Sequence, residues 1–187
     1  MCSVNELDDP DGAEEKRWYE KAFKDFKFYA DNGNAEAMAK LADFYHGLHG
    51  DEYKDNLKEV YWSLRALEEG EPDGASSIAT CFTYGYAVNE NPAFSRAWDA
   101  RWCIEAAGKG WPVNEYPEFD SLSAAGYTKN DWKFLAASTY VSVPHYATQN
   151  EDSIVDAALL AVDLLNQKAG DFAVEMKVYK QDKALAA

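Results

Sequence analysis

The segment Gly33-Asn34-Ala35-Glu36-Ala37-Met38-Ala39-Lys40-Leu41-Ala42-Asp43-Phe44-Tyr45-His46-Gly47 comes back, in part, further along the chain. A shift of 38 positions carries Ala37, Phe44 and Gly47 onto Ala75, Phe82 and Gly85. A shift of 40 carries Trp62, Ala66 and Gly70 onto Trp102, Ala106 and Gly110. Small residues and aromatics repeating in register at this period mark an array of helical units, each burying its apolar stripe against its neighbours. The expected fold is therefore all-α, built of antiparallel helix pairs.

Apolar spacing and glycine stops divide the chain. Residues 1–13 read as a mobile leader, and a helix follows from about Glu14 to Asp31 with Tyr19, Phe23, Phe26 and Ala30 on its apolar stripe. Helices are expected at Ala35–His46, Asn56–Glu69, Gly74–Tyr84 and Ala93–Lys109. The last of these carries two apolar stripes, one through Ala97, Ala100, Ile104 and Ala107, the other through Phe94, Trp98, Trp102 and Ala106. A helix apolar on two sides is covered on two sides. After Gly110 the period decays. Short helices are expected at Pro117–Ala125 and from a cap at Asp131 to about Val141. A longer one runs from Glu151 to Ala169, with Gly170 as its stop. The stretch Phe172–Tyr179 alternates as a strand would, but no other strand is in view to pair with it, and it is read as helix. Trp18, Trp62, Trp98, Trp102 and Trp132 are read as packing residues.

The helix ending at Asp31-Asn32-Gly33, followed by Ala35, Ala37, Leu41, Tyr45 and Gly47, resembles the Sel-one-like repeat family, relatives of the tetratricopeptide arrays. Ala42 stands where that family prefers glycine. In the second copy Ala79 replaces the leucine and Thr83 the tyrosine. The resemblance covers about residues 14–110 and leaves 111–187 as degenerate repeats or a C-terminal helical cap. It implies a short right-handed α-solenoid whose concave side, lined by the first helix of each pair, holds a protein segment. It also implies an adaptor or inhibitor without chemistry of its own.

Composition narrows the function further. The chain has 187 residues and a formal net charge of −15, which repels nucleic acid and anionic membrane surfaces. Residues 1–110 hold 22 acidic and 12 basic side chains and residues 111–187 hold 11 and 6, so the charge is spread over the scaffold rather than gathered in a tail. Two readings of it stand: solubility, and an acidic surface for a basic partner. In its sharpest form the second is a small immunity or anti-defence inhibitor that imitates DNA charge. The longest apolar run, Ala157 to Val162, is far short of the ~20 residues of a membrane span. With an acidic, non-signal N-terminus and three scattered cysteines (Cys2, Cys81, Cys103), the expectation is a cytoplasmic protein without disulfides, in which Cys81 and Cys103 are small core residues.

No metal, cofactor or catalytic constellation is expected. His46 and His49 beside Asp51 and Glu52 are read as surface residues, and His145 after Pro144 as a loop residue. The run Glu68, Glu69, Glu71 and Asp73 departs from a calcium-loop spacing. Candidate protein contacts are the outward residues Glu36, Lys40, Asp43 and Thr80, together with that acidic turn. Tyr53, Trp111, Tyr116 and Tyr127 join them, because loop aromatics supply interface anchors. An enzyme on the same scaffold would need an enclosed pocket with convergent polar groups.

Overall fold

A computed structural model describes residues 12–142 and 150–186. The expectations for the leader up to residue 11, for Cys2, and for Pro144 and His145 lie outside the described residues. Eight helices follow in order among the described residues: α1 (Ala13–Asp31), α2 (Ala35–His46), α3 (Asn56–Glu68), α4 (Asp73–Tyr84), α5 (Pro92–Gly108), α6 (Pro117–Ala124), α7 (Lys129–Ala137) and α8 (Glu151–Leu185). No strand occurs among them. The fold is all-α: α1 to α6 pack each on its chain neighbour as in an α-solenoid, while α7 packs on α5 and α8 on α3.

The turns repeat more faithfully than the side chains. Gly33, Gly70 and Gly110 close the first helix of successive pairs, and Gly47, Gly85 and Gly126 close the second; all six have φ between 72° and 96°. That left-handed conformation costs an ordinary residue steric strain and glycine almost none. At each stop, the residue after the glycine donates its N–H back to a carbonyl five positions earlier. Asn34 reaches Tyr29, Leu48 reaches Asp43, Glu71 reaches Ala66, Tyr86 reaches Cys81, Trp111 reaches Ala106 and Tyr127 reaches Leu122, at 2.8–3.2 Å. The turn at Gly126 thus keeps the repeat's backbone geometry where its side-chain pattern has decayed. Helix starts are capped by side chains as well: Asn34, Asp55, Asn91 and Asn150 each accept an N–H from the first turn.

Aromatic packing fills the interior. Trp62, Trp98 and Trp102 are buried, as is Trp132, whereas Trp18 is 63% exposed on the outer side of α1, against expectation. Its Trp-x-x-x-Ala spacing is out of register with Gly33. Helices α3 and α5 are buried nearly all round, and α5 is covered on both sides, by α4 and α6 and by α7.

Two local expectations are corrected. Asp131 does not cap α7: Thr128 precedes the helix, and its N–H and hydroxyl donate to Asp131 Oδ2 at 2.7 and 2.8 Å in a capping box. The helix then ends at Ala137 rather than near Val141. Gly170 is not a stop either. Helix α8 continues through it for 35 residues in all, about 52 Å at 1.5 Å per residue. The buried series Leu165, Ala169, Phe172 and Met176 passes across Gly170, and that packing outweighs the roughly 1 kcal/mol by which glycine disfavours a helix interior.

Helix α8 lies along the first helices. Glu151 pairs with Lys27 of α1 at 3.5 Å and Lys58 of α3 at 2.6 Å. Asn166 accepts from the Asn89 N–H at 2.8 Å, and Phe172 meets Phe94 of α5 with ring centroids 5.1 Å apart. Tyr179 stacks on Phe134 of α7 at 4.1 Å, and Tyr179 and Lys183 both donate to Asp131 Oδ1. Burial would push the Asp131 carboxyl up, but these donors and Thr128 outweigh it and hold the group well below the usual carboxylate range.

Two consequences can be measured. A Cβ built on Gly74 would stand 2.1 Å from the Ser63 carbonyl oxygen, where α4 crosses α3. Gly74→Ala is expected to lower unfolding free energy by about 1–3 kcal/mol in a urea titration, because backbone must move to admit it. Asp131→Asn is expected to cost about 1–3 kcal/mol. It should speed amide hydrogen exchange over residues 172–185 while leaving the amides around Ile154 slow.

Candidate functional site

The 40-residue shift that places Trp62 on Trp102 also places Glu59 on Asp99. Both carboxylates stand on first helices, α3 and α5, and both are buried, at 1% and 8% exposure. Each borders a cleft between second helices. The first cleft, about 200 Å³, is bordered by Asp43, His46, Glu59, Ser76 and Thr80. The second, about 420 Å³, lies among α4, α5 and α6 and shares Ser76 and Thr80 with the first. Together they form a polar groove along α2, α4 and α6.

The two clefts differ in how their acids are satisfied. In the first, His46 Nδ1 lies 2.8 Å from Glu59 Oε1, and the Cys81 thiol donates to the same oxygen at 3.5 Å. Burial pushes Glu59 up, while the His46 and Cys81 bonds pull it partly back. In the second, the Ser121 hydroxyl donates to Asp99 Oδ2 at 2.7 Å, and Ser76 donates to Glu118 Oε1 at 2.5 Å. Glu118 Oε2, like Glu59 Oε2 in the first cleft, is buried and accepts from no donor among the described residues. Arg96 also lines this cleft, yet its guanidinium donates to the Pro92 carbonyl at 3.3 Å rather than to either acid.

Burial pushes the Asp99 carboxyl up to about 6; the Ser121 bond opposes this, the charge of Glu118 adds to it, and Arg96 offsets part. The Cys103 thiol, which lies on the same helix, is pushed up to about 12 by burial and by those two acids, so it is no nucleophile. Acceptor oxygens and hydroxyls in an open cleft suit recognition of hydrogen-bond donors more than bond-breaking. Among the described residues, no group of three His, Cys, Asp or Glu side chains is arranged to hold a metal ion.

The residues singled out from the sequence fall in several places. Asp43 and Thr80 border the groove, and Lys40 pairs with Asp43 at 3.2 Å. Glu36 is exposed beside them. The acidic turn is engaged internally: Arg65 holds Glu68 and Glu69 at 3.0 and 3.1 Å, Lys109 holds Glu71 at 3.0 Å, and Trp102 Nε1 donates to Asp73 at 3.3 Å. Tyr53 sits against Phe23 and Phe44, Trp111 and Tyr116 lie against Trp102, and Tyr127 is half-buried on the core. His46, read as a surface residue, is instead the partner of buried Glu59. Glu59, Asp99, Glu118 and Ser121 were not legible as site residues. The repeat register carried a signal for the first two, since an acid recurring at one position of two buried helices needs a reason.

Over 64 residues, 34% of its length, the chain is 34% identical to the "ERAD-associated E3 ubiquitin-protein ligase component HRD3A" of Arabidopsis thaliana, and the match spans 9% of that relative. No family model and no solved structure matches the chain. The partial similarity and the all-helical build together fit a helical repeat protein. No helix among the described residues is long and apolar enough to cross a membrane.

The raised Asp99 group makes stability depend on pH. The folded protein keeps this proton from about pH 4 to about pH 6 while the unfolded chain has released it. The associated stabilisation is therefore full at low pH and lost as pH rises through 6. Asp99→Asn should raise stability at pH 7 by up to about 3 kcal/mol. That advantage should vanish near pH 4 when melting curves of the two proteins are compared.

Proposed function

We propose that this protein is a non-enzymatic protein-interaction module, working in the cytoplasm, that takes a segment of another protein in the groove between its second helices. The observation that carries the reading is the division of surfaces. Helix α8 lies on the first helices, the face on which a repeat array of this kind is expected to hold its partner, while the polar groove bordered by Glu59 and Asp99 stays open. A groove prearranged by packed helices costs a partner little ordering of the receptor. Its acids, with the net charge of −15, favour a partner with a basic surface. The named relative is a ligase component, and the similar helical stretch here is proposed to serve likewise as a holder of proteins rather than as a catalyst.

In this reading α1 to α6 form three helix pairs, and α7 with α8 closes the array and supports it. Asp43 and Thr80 contact the partner, with Glu36 and Lys40 at the rim.

The test is capture from a native lysate on the immobilised protein, at low and high salt, beside the variants Thr80→Trp and Glu175→Ala. Thr80 borders both clefts, and Glu175 lies exposed on α8. A partner retained by the parent and by Glu175→Ala, released by salt and lost by Thr80→Trp is the expected result. Equal retention by all three proteins would overturn the groove assignment.

A further inference from the structure

The two clefts offer an internal comparison, because repeat register makes each the template of the other. His46 is the last residue of α2, immediately before Gly47. Its counterpart under the 38-residue shift is Tyr84, the last residue of α4, immediately before Gly85. His46 turns inward to Glu59; Tyr84 is 64% exposed and stacks on Tyr86 instead. The equivalent acid, Asp99, therefore has no imidazole over it among the described residues. Among the described residues its one hydrogen bond is from the Ser121 hydroxyl to Oδ2, although the residue is more than nine-tenths buried. Both clefts hold a buried oxygen with no donor among the described residues, Glu59 Oε2 in the first and Glu118 Oε2 in the second, but the second adds it to an acid, Asp99, that no imidazole covers. Among the described residues no lysine, arginine or histidine forms an ion pair with either acid. A cleft of about 420 Å³ is within the range of small-ligand sites and about twice the size of the one that His46 borders.

We infer that the cleft bordered by Asp99 and Glu118 is the receptor for one basic side chain of the partner protein, an arginine or lysine that stands over Asp99 as His46 stands over Glu59. The inference rests on the groove being a protein-binding surface and names the chemistry of its occupant. A guanidinium offers up to five donors in a plane and can meet two carboxylates at once. Ser95 and Thr83, already hydrogen-bonded to each other at 2.8 Å, supply hydroxyls on the cleft wall for the remaining donors. Arg96, the cation of the wall, offsets part of the Asp99 burial by its charge but donates to the Pro92 carbonyl, so neither acid receives a hydrogen bond from it and both stay open to an incoming donor. Burying a carboxylate without a cation costs stability, and such a cost is retained where a ligand relieves it.

The experiment titrates the full chain with Nα-acetyl-arginine amide, and separately with its uncharged isostere Nα-acetyl-citrulline amide, following backbone amide chemical shifts. Saturable shifts centred on Ser95, Asp99 and Ser121, with a dissociation constant on the order of millimolar, are expected for the arginine compound. Citrulline should bind at least about tenfold more weakly, and Asp99→Asn and Glu118→Gln should each weaken arginine binding about tenfold while keeping a dispersed, folded spectrum. Tyr84→His, which restores the imidazole of the first cleft to the second, should also weaken it by supplying an internal donor. Equal binding of both amides, no binding of either, or arginine binding unchanged in Asp99→Asn overturns the inference. The two readings fail separately: if neither amide binds but Thr80→Trp still abolishes capture of the partner, the groove stands and only the basic-side-chain receptor falls.

Discussion

The left-handed glycine turn is the constraint on which the molecule's geometry depends. Six times, a helix ends with a glycine at positive φ and an N–H reaching back five residues. Each such turn satisfies an end carbonyl and sends the chain back along its neighbour, so successive helices stack in one sense and present equivalent positions in equivalent places. Equivalence of position is what puts Glu59 and Asp99 beneath successive clefts. Side chains on the stripes vary more freely, because a stack of small and aromatic residues tolerates exchange of volume, whereas a turn at φ near +80° does not tolerate a β-carbon without strain.

Helix α8 changes what the array can do. By packing on α3, and meeting α1, α5 and α7 through Glu151, Phe172 and Tyr179, it converts part of the face of the first helices into interior; it helps to bury α3 almost all round, as α4, α6 and α7 bury α5. The helix is held at both ends by charge and between them by packing: Glu151 on Lys27 and Lys58, Phe172 on Phe94, and Asp131 under Tyr179 and Lys183. A repeat array whose first-helix face is taken by its own chain has its remaining concavity between the second helices. There the interior is not apolar throughout. Two buried acids, a histidine and a line of hydroxyls replace hydrocarbon, at a cost in stability that the raised Asp99 group makes visible.

Much of this was legible. The glycines at 33, 47, 70, 85 and 110 mark turns in the sequence because their neighbours are helix formers and their spacing repeats. Trp62 and Trp102 read correctly as core, since both lie in register with a glycine stop. Trp18 and Gly170 read wrongly for related reasons. Each was judged from its local pattern, but burial of a tryptophan and continuation of a helix through a glycine depend on whether a neighbour is present. Trp18 is left exposed, whereas Ala169 and Phe172, on either side of Gly170, are buried. His46 looked like a surface residue because its partner, Glu59, is thirteen residues away on another helix.

The amino-acid sequence by itself determined the helices, their stops and the period, because these follow from local backbone preference and from stripes that repeat within forty residues. Tertiary structure alone decided which surfaces remained available. The docking of α8 is a long-range contact with no repeat to announce it. The pairing of His46 with Glu59, and its absence at Tyr84 and Asp99, depends on which way a side chain at a helix end turns. That direction is set by the packed neighbours, and neither spacing nor composition encodes it.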